Sequence, residues 1–183
     1  VDTFGVINNY EGATLAYASV DADGIVRNLG TLNVTGTYAI GDEGETTFAG
    51  DTKVGTLSIG RTAKTMLMAR DGQEAVLHNT GKTYADELDL VSGQVMVEKD
   101  SILAGKSLKN GAVGSDIIVS AGGTFGFSHD KSSLENALKN YTGSKADKAI
   151  LALSTDLHFG QGGSLTVGSV NCLLYTSDAA DDK

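Results

Sequence analysis

The residues of this chain best suited to acid–base chemistry are its three histidines, His78, His129 and His158. His129 stands beside Asp130, and His158 shares one face of a predicted strand with Asp156, so both have a carboxylate within reach as an acid–base partner. Neighbours of this kind are expected by chance in many proteins, and no histidine stands at metal-ligand spacing from another. We therefore assign the histidines no catalytic or metal-binding role.

Four carboxylates, Asp86, Glu87, Asp89 and Glu98, could supply the acid and base of glycoside cleavage. Solvated strand edges and turns explain the same four residues without any chemistry. The chain has no Gly-x-Ser-x-Gly nucleophile elbow, no phosphate-binding loop and no dinucleotide-binding glycine motif followed by a helix. The sequence therefore predicts no catalytic residue, no cofactor-binding residue and no cofactor.

One acidic stretch, Asp21-Ala22-Asp23-Gly24, resembles the start of a calcium-binding loop. The later acidic ligands are missing at the offsets that such a loop requires. The stretch has the composition of a turn, and we interpret it as one. No metal site is predicted.

Composition and charge narrow the class of protein. The chain has 183 residues, 24 glycines, no proline and no tryptophan, and its net charge is −9. The negative charge argues against nucleic acid or an anionic membrane surface as partner. No apolar run approaches the roughly 20 residues of a membrane-spanning helix. The chain begins at Val1 without a visible signal peptide, so we expect it to be an internal fragment.

The C-terminal stretch from Cys172 to Asp182 resembles the translation of a sequencing-library adapter, with eleven residues in register. We therefore expect residues 172–183 to be a non-native, disordered tail and residues 1–171 to be the native segment. The native segment then has 13 basic and 20 acidic residues. It contains no cysteine, which excludes disulfides, thiolate metal sites and a cysteine nucleophile within it.

A five-residue pattern, Gly-x-apolar-x-apolar, recurs along the chain. Each copy reads as a short strand with two apolar side chains on one face and a glycine where the chain turns before extending. The spacing indicates one or two units of a repeat of about 20 residues, which favours a solenoid whose inward apolar side chains stack from coil to coil. The copies begin at Gly30, Gly55, Gly93, Gly123 and Gly163. The side chains predicted to point inward include Leu88, Leu90, Val95 and Val97.

The repeat is interrupted by a predicted helix at about 131–142. Ser132 and Glu135 form a capping box, with Ser132 as the N-cap, and Gly143 is a plausible stop. We expect this excursion to pack on the flank of the coil or to cover one of its ends. It is either a binding element or a loop that happens to be helical, and we favour the loop.

Two alternatives remain open beside the solenoid scaffold. Short strands with frequent turns also fit an extracellular antiparallel sandwich, which would show hairpin pairing. A β-helical polysaccharide-degrading enzyme or phage tailspike would gather Asp86, Asp89, Glu98 and a basic residue in one groove. The recurrence of one pattern favours the solenoid, because a sandwich has no reason to repeat it.

The glycine-led strands, with phrases such as Gly30-Thr31-Leu32-Asn33-Val34-Thr35-Gly36, resemble the passenger domains of autotransporters, which are Gram-negative surface proteins. The resemblance implies an all-β, right-handed parallel β-helix over residues 1–171. It implies a non-catalytic adhesin or structural stalk, located at the cell surface or secreted. Its partners would be a host surface, an extracellular glycan or protein, or another copy of itself. Further coils and a C-terminal outer-membrane barrel would follow in the full-length protein.

Overall fold

The computed structural model describes residues 1–60, 74–127, 131–142, 148–153, 157–160, 162–167 and 170–172. The chain is mostly β, with parallel sheets and one α-helix in this part of it. His129, Asp130, Asp156 and Gly143 lie outside the described residues. So does the predicted tail from residue 173 onward.

The described part of the chain contains nineteen strands, one 3-10 turn and one α-helix. The first ten strands are β1 Asp2–Thr3, β2 Val6–Asn9, β3 Thr14–Tyr17, β4 Val20–Ala22, β5 Ile25–Asn28, β6 Thr31–Ile40, β7 Glu45–Phe48, β8 Asp51–Ile59, β9 Val76–Asn79 and β10 Lys82–Leu90. The others described are β11 Gln94–Val97, β12 Ile102–Leu108, β13 Ala112–Val113, β14 Asp116–Val119, β15 Thr124–Phe127, β16 Ala149–Ala152, β17 His158–Phe159, β18 Ser164–Val167 and β19 Val170–Cys172. A 3-10 turn spans Lys109–Gly111, and helix α1 spans Lys131–Asn140.

The strands form three sheets. Sheet A has ten strands in the order β1-β4-β6-β8-β10-β12-β15-β16-β19, with β3 also paired to β6. Sheet B has the order β18-β14-β11-β9-β7-β5-β2, and sheet C pairs β13 with β17. Every strand pair among the described residues is parallel; for example, Leu32 and Val34 of β6 face Thr52 and Val54 of β8. The antiparallel-sandwich alternative is therefore wrong.

Several paired strands lie about 20 residues apart along the sequence. Thr31 lies opposite Asp51 and Ile25 opposite Glu45, in each case 20 residues later. From β4 to β12 the chain alternates between the two large sheets, so one step contains one strand of each. The predicted repeat of about 20 residues is confirmed here. The step from Asp51 to Lys82 is longer and includes residues 61–73, which are not described.

One apolar core is shared by sheets A and B. Its side chains come from alternate positions of each strand, as the period-2 pattern predicts. Burying each large aliphatic side chain contributes about 1.5–3 kcal/mol to stability. The four side chains predicted to point inward are at most 3% exposed, which confirms the prediction: Leu88, Leu90, Val95 and Val97.

Buried asparagines hold the corners where strands of sheet B lead into sheet A. Asn9 donates a hydrogen bond to the side chain of Asn28 at 2.8 Å, and Asn28 donates to Thr52 Oγ1 at 3.0 Å. Further along, Thr83 Oγ1 donates to Asn79 Oδ1 at 2.6 Å. Because a buried amide is costly unless it is hydrogen-bonded, these contacts fix how neighbouring corners stack.

The predicted five-residue pattern is wrong at Gly55, which does not open a strand but lies inside β8. The glycines that stand opposite Gly30 are Gly50 and Gly81, because Asp51 N–H bonds to Gly30 O and Lys82 N–H bonds to Gly50 O. A Cβ at Gly50 or Gly81 would clash with the carbonyl oxygen of the preceding glycine in this row. These three stacked positions, Gly30, Gly50 and Gly81, are therefore glycines because their backbones approach too closely to leave room for a side chain.

The other copies of the pattern belong to two different corners. Gly123 precedes a strand of sheet A, whereas Gly93 and Gly163 precede strands of sheet B. Gly93 also has a positive φ of 84°, a conformation that side chains disfavour. The same five-residue pattern therefore occurs at two structurally different corners, and the sequence alone did not distinguish them.

Helix α1 joins two neighbouring strands of sheet A, β15 and β16. It begins at Lys131, one residue before the predicted N-cap, so Ser132 lies inside its first turn. Leu134 is fully buried against Tyr84, Ala104 and Ala152 on the outer face of sheet A. The predicted helix is confirmed and packs on the flank of the sheets, but it ends at Asn140 and the predicted N-cap at Ser132 is wrong.

Replacing Gly50 with alanine should lower the free energy of unfolding by about 2–3 kcal/mol, because the new methyl group overpacks the corner against Gly30. The matched control is Gly160→Ala, where a Cβ would come no closer than 3.8 Å to any atom that the structure describes. That control should change stability by no more than about 0.5 kcal/mol. Urea unfolding followed by circular dichroism measures both. Equal stability of the two variants would contradict close approach at Gly50.

Candidate functional site

The histidines do not come together. His78 lies on β9 of sheet B, with Nε2 3.8 Å from Glu45 Oε1. His158 lies on β17 of sheet C, where it is exposed. Its predicted neighbour Asp156, like His129, lies outside the described residues. The described histidines thus form no shared site.

The four candidate carboxylates divide between two sheets. Asp86, on β10 of sheet A, has Oδ1 3.2 Å from Lys106 Nζ. Asp89 accepts a hydrogen bond from Ser58 at 3.2 Å. Glu98 follows β11 of sheet B. Glu87 is also on β10, so three of the four carboxylates share one strand of sheet A. Glu98 belongs to the other sheet, so the four do not gather in the single groove that the enzyme alternative requires.

The acidic stretch at Asp21–Gly24 is partly strand and partly bend, since β4 ends at Ala22. Among the described residues, no three histidine, cysteine or acidic side chains gather in a way that could hold a metal ion.

A cleft opens on the outer face of sheet A, next to the first residue of α1. It consists of two hollows of about 290 Å³ and about 340 Å³, and Lys53, Tyr84 and Lys131 line both. Lys82 lines the first hollow and Lys106 the second. We call this feature the lysine cleft and define it by these four lysines and Tyr84.

Parallel register brings the lining residues together from distant parts of the sequence. Lys53 of β8 lies between Asn33 of β6 and Tyr84 of β10. Two residues earlier on the same face, Asp51 lies opposite Lys82. Because residues two apart on a strand point to the same side, these two rows form one polar surface.

The row through Tyr84 also explains where the cleft ends. Beyond Tyr84 it continues through Ala104, Gly126 and Ala152. These small residues leave room for α1, and Leu134 packs over them. Tyr84 therefore marks the boundary between the half of the face that the helix covers and the half that stays open.

Tyr84 is an unusual residue for an outer sheet face, because only 8% of it is exposed. Its hydroxyl is buried and has no hydrogen-bond partner among the described residues. Lys131 Nζ lies 5.6 Å from the centre of its ring, within range of a cation–π interaction. Burial, with smaller contributions from Glu135 and Asp51, raises the pKa of Tyr84 to about 12. The hydroxyl is thus a protonated, unused hydrogen-bonding group at neutral pH.

The cleft concentrates positive charge in a chain whose net charge is −9. Four of the eleven lysines line it, beside two carboxylates, Asp51 and Asp86. Lys106 is paired with Asp86, whereas Lys53 and Lys82 form no ion pair within the described part of the chain. Ammonium, hydroxyl and amide groups together suit a polar, negatively charged ligand.

Sequence reasoning missed this site. The lysines are far apart along the chain, and each reads alone as an ordinary solvated side chain. The available signal was the register, in which Lys53 and Tyr84 become neighbours across a 31-residue step. That step departs from the 20-residue repeat, so the spacing could not be read from the pattern.

Comparisons with protein-family models, curated proteins and solved structures find no match. None of the helical residues that the structure describes forms a segment long and apolar enough to cross a membrane.

Replacing Tyr84 with phenylalanine should leave the free energy of unfolding unchanged or raise it, because the lost hydroxyl has no partner among the described residues. Tyr38→Phe is the matched comparison. The Tyr38 hydroxyl lies 2.8 Å from Thr46 Oγ1 in a buried hydrogen bond, so its loss should cost about 1–3 kcal/mol. Urea unfolding at neutral pH compares the two. A Tyr84→Phe variant as unstable as Tyr38→Phe would mean that the Tyr84 hydroxyl is satisfied.

The same variant has a pH signature. The folded chain holds the Tyr84 proton up to a pKa of about 12, above the ordinary value of 10.0. The unfolded chain releases it first, so the contribution to stability is complete below pH 10 and is lost as the pH rises through about 12. Tyr84→Phe should therefore lose less stability over this range. Its phenolate absorbance should also lack the ionisation near pH 12.

Proposed function

We propose that residues 1–171 are a β-solenoid segment from the passenger of a Gram-negative surface protein, acting as an adhesin or structural stalk. The observation that carries the proposal is the parallel 20-residue step, with successive strands alternating between sheets A and B. A chain that winds in coils produces this arrangement, because each coil adds one strand to each sheet. Coils of this kind stack only on their neighbours, as in repeat proteins generally.

The surface role rests on the resemblance to autotransporter passengers and on the separation of inward apolar side chains from outward polar ones. Inward positions are apolar and packed, which leaves the outer faces to bind partners. The lysine cleft is one such outward feature. The chain is then exported through a C-terminal barrel beyond this segment and is displayed at the cell surface or released.

Self-association is expected of residues 1–171 when they are isolated from any neighbouring coil. Strands β1 and β2 lie at the edges of sheets A and B, and unpaired edges invite pairing with another chain. Phe4, Val6 and Tyr10, near these edges, are between 56% and 69% exposed. In the isolated segment such an edge favours contact with a second copy, whereas a preceding coil would cover it in a longer chain.

A polysaccharide-degrading enzyme or tailspike is the second candidate, favoured by one observation. Asp86 and Lys106 line the second hollow of the lysine cleft beside Tyr84. A carboxylate in a groove could act on a bound saccharide. Release of reducing ends from an acidic polysaccharide by the purified chain, abolished by Asp86→Asn, would replace the adhesin proposal.

Deleting one whole repeat should preserve folding if the chain is a solenoid. Removing residues 31–50 takes out β6 and β7 together, so that β8 follows Gly30 as β6 did. The remaining strands can then restack with their inward faces matched. We expect this variant to unfold cooperatively in urea and to keep the circular dichroism spectrum of a β protein.

The matched control removes half a repeat. Deleting residues 41–50 takes out β7 alone and places two sheet A strands in immediate succession. This variant should lose cooperative unfolding. If both deletions are equally disruptive, the solenoid proposal is wrong.

Adhesion itself can be measured by displaying residues 1–171 on a bacterial surface through an outer-membrane barrel anchor. Displaying cells should adhere to a glycan- or protein-coated surface, or aggregate with one another, more than cells carrying the anchor alone. Surface exposure is verified by protease accessibility. Properly displayed chain that promotes neither adhesion nor aggregation would contradict the adhesin proposal.

A further inference from the structure

The lysine cleft has the chemistry of a binding site for a specific class of ligand. We propose that it binds an acidic oligosaccharide, one that carries carboxylate or sulfate groups along a sugar chain. The inference rests on the proposed function, since it names the ligand that the adhesive surface binds. It is argued from three features of the cleft: its charge, its unused hydrogen-bonding group and its shape.

The charge feature is the set of lysines without a carboxylate partner. Lys53 and Lys82 have no ion pair among the described residues. The Lys131 ammonium lies over the Tyr84 ring and has no ion pair in that part of the chain either. Charged hydrogen bonds from ammonium groups to carboxylate or sulfate oxygens are stronger than those between neutral groups. These lysines stand where repeated anionic groups of one ligand could meet them.

The hydrogen-bonding feature is the Tyr84 hydroxyl, which is more than nine-tenths buried and lacks a partner in the described chain. A buried polar group without a partner lowers stability, and a ligand hydroxyl or anionic oxygen would relieve this cost. Thr31 and Asn33 line the same hollow with a hydroxyl and an amide group. Sugar hydroxyls both donate and accept hydrogen bonds, so they match this mixed lining.

The shape feature is the division of the cleft into two hollows that share Lys53, Tyr84 and Lys131. Each hollow, at about 290 Å³ and about 340 Å³, is near the lower end of the usual size of ligand pockets. Two adjoining hollows suit successive units of a chain-like ligand better than one compact molecule.

A single-stranded nucleic acid is the competing anionic polymer, and the cleft fits it poorly. Binding of that kind uses exposed aromatic rings on which bases stack. The only ring lining the described cleft is that of Tyr84, which is 8% exposed and has Lys131 against it.

Calorimetric titration of the purified full chain tests the proposal with four probes. They are an oligogalacturonate, which carries carboxylates, a heparin-derived oligosaccharide, which carries sulfates, a neutral cello-oligosaccharide and a DNA oligonucleotide. We expect at least one acidic saccharide to bind with an affinity that falls as salt is added, and the neutral saccharide to bind at least about tenfold more weakly. Which acidic probe binds identifies the anionic group.

Variants locate the binding. Lys53→Gln with Lys82→Gln should weaken affinity by at least about tenfold, and Tyr84→Phe by about threefold or more. The matched control is Lys99→Gln with Lys139→Gln, which makes the same charge change at exposed lysines outside the cleft. That control should stay within about twofold of the unmodified chain. Unfolding in urea verifies that each variant is folded.

Three results would overturn the inference. They are no binding of either acidic saccharide, equal losses in the cleft and control variants, and DNA binding as strong as saccharide binding through the same lysines. In any of these cases the deletion and display experiments keep their own outcome, because they depend on the stacking of strands and on adhesion to any partner. Failure of the ligand assignment is thus distinguishable from failure of the proposed function.

Discussion

Close backbone approach at the corners is the constraint on which the rest of the structure depends. Parallel strands of neighbouring repeats can pair only if each corner lies directly against the one before it. At Gly50 and Gly81 there is no room for a Cβ, because the carbonyl oxygen of the preceding glycine occupies the space. Buried asparagines such as Asn28 then hold the stacked corners by hydrogen bonds. With the corners in register, every inward position of one strand falls on the same position of the next.

Register in turn decides what the outer face can carry. The row that begins at Asn33 and Lys53 ends in the small residues Ala104 and Ala152. These small residues leave room for α1 to pack on the sheet. The helix connects β15 and β16, two neighbouring strands of sheet A, at a point where the alternation of sheets would place a strand of sheet B. The polar half of the row stays open, and the start of α1 adds Lys131 to it. The lysine cleft therefore combines side chains from the paired strands of sheet A with Lys131 from the interruption.

The sequence predicted the features that depend on neighbours along the chain. Alternation of apolar residues identified inward side chains such as Leu88 and Val95, and α1 begins at the predicted residue 131, although its predicted N-cap, Ser132, lies inside the first turn. Features that depend on register were not predictable. Gly55 was assigned to a strand opening because its local phrase matches that at Gly30, although the structural equivalent of Gly30 is Gly50. The cleft was missed for the same reason, since Lys53 and Tyr84 meet only across the irregular step.

Tyr84 connects the stability of the fold to its proposed use. A hydroxyl buried without a partner costs free energy, and phenylalanine would fill the same volume without that cost. The position is not one where packing demands a hydroxyl, because the ring lies under α1 among Ala104, Leu134 and Ala152. A polar atom that weakens the empty protein, on a residue that lines the lysine cleft, is explained most simply by a ligand that completes its hydrogen bond.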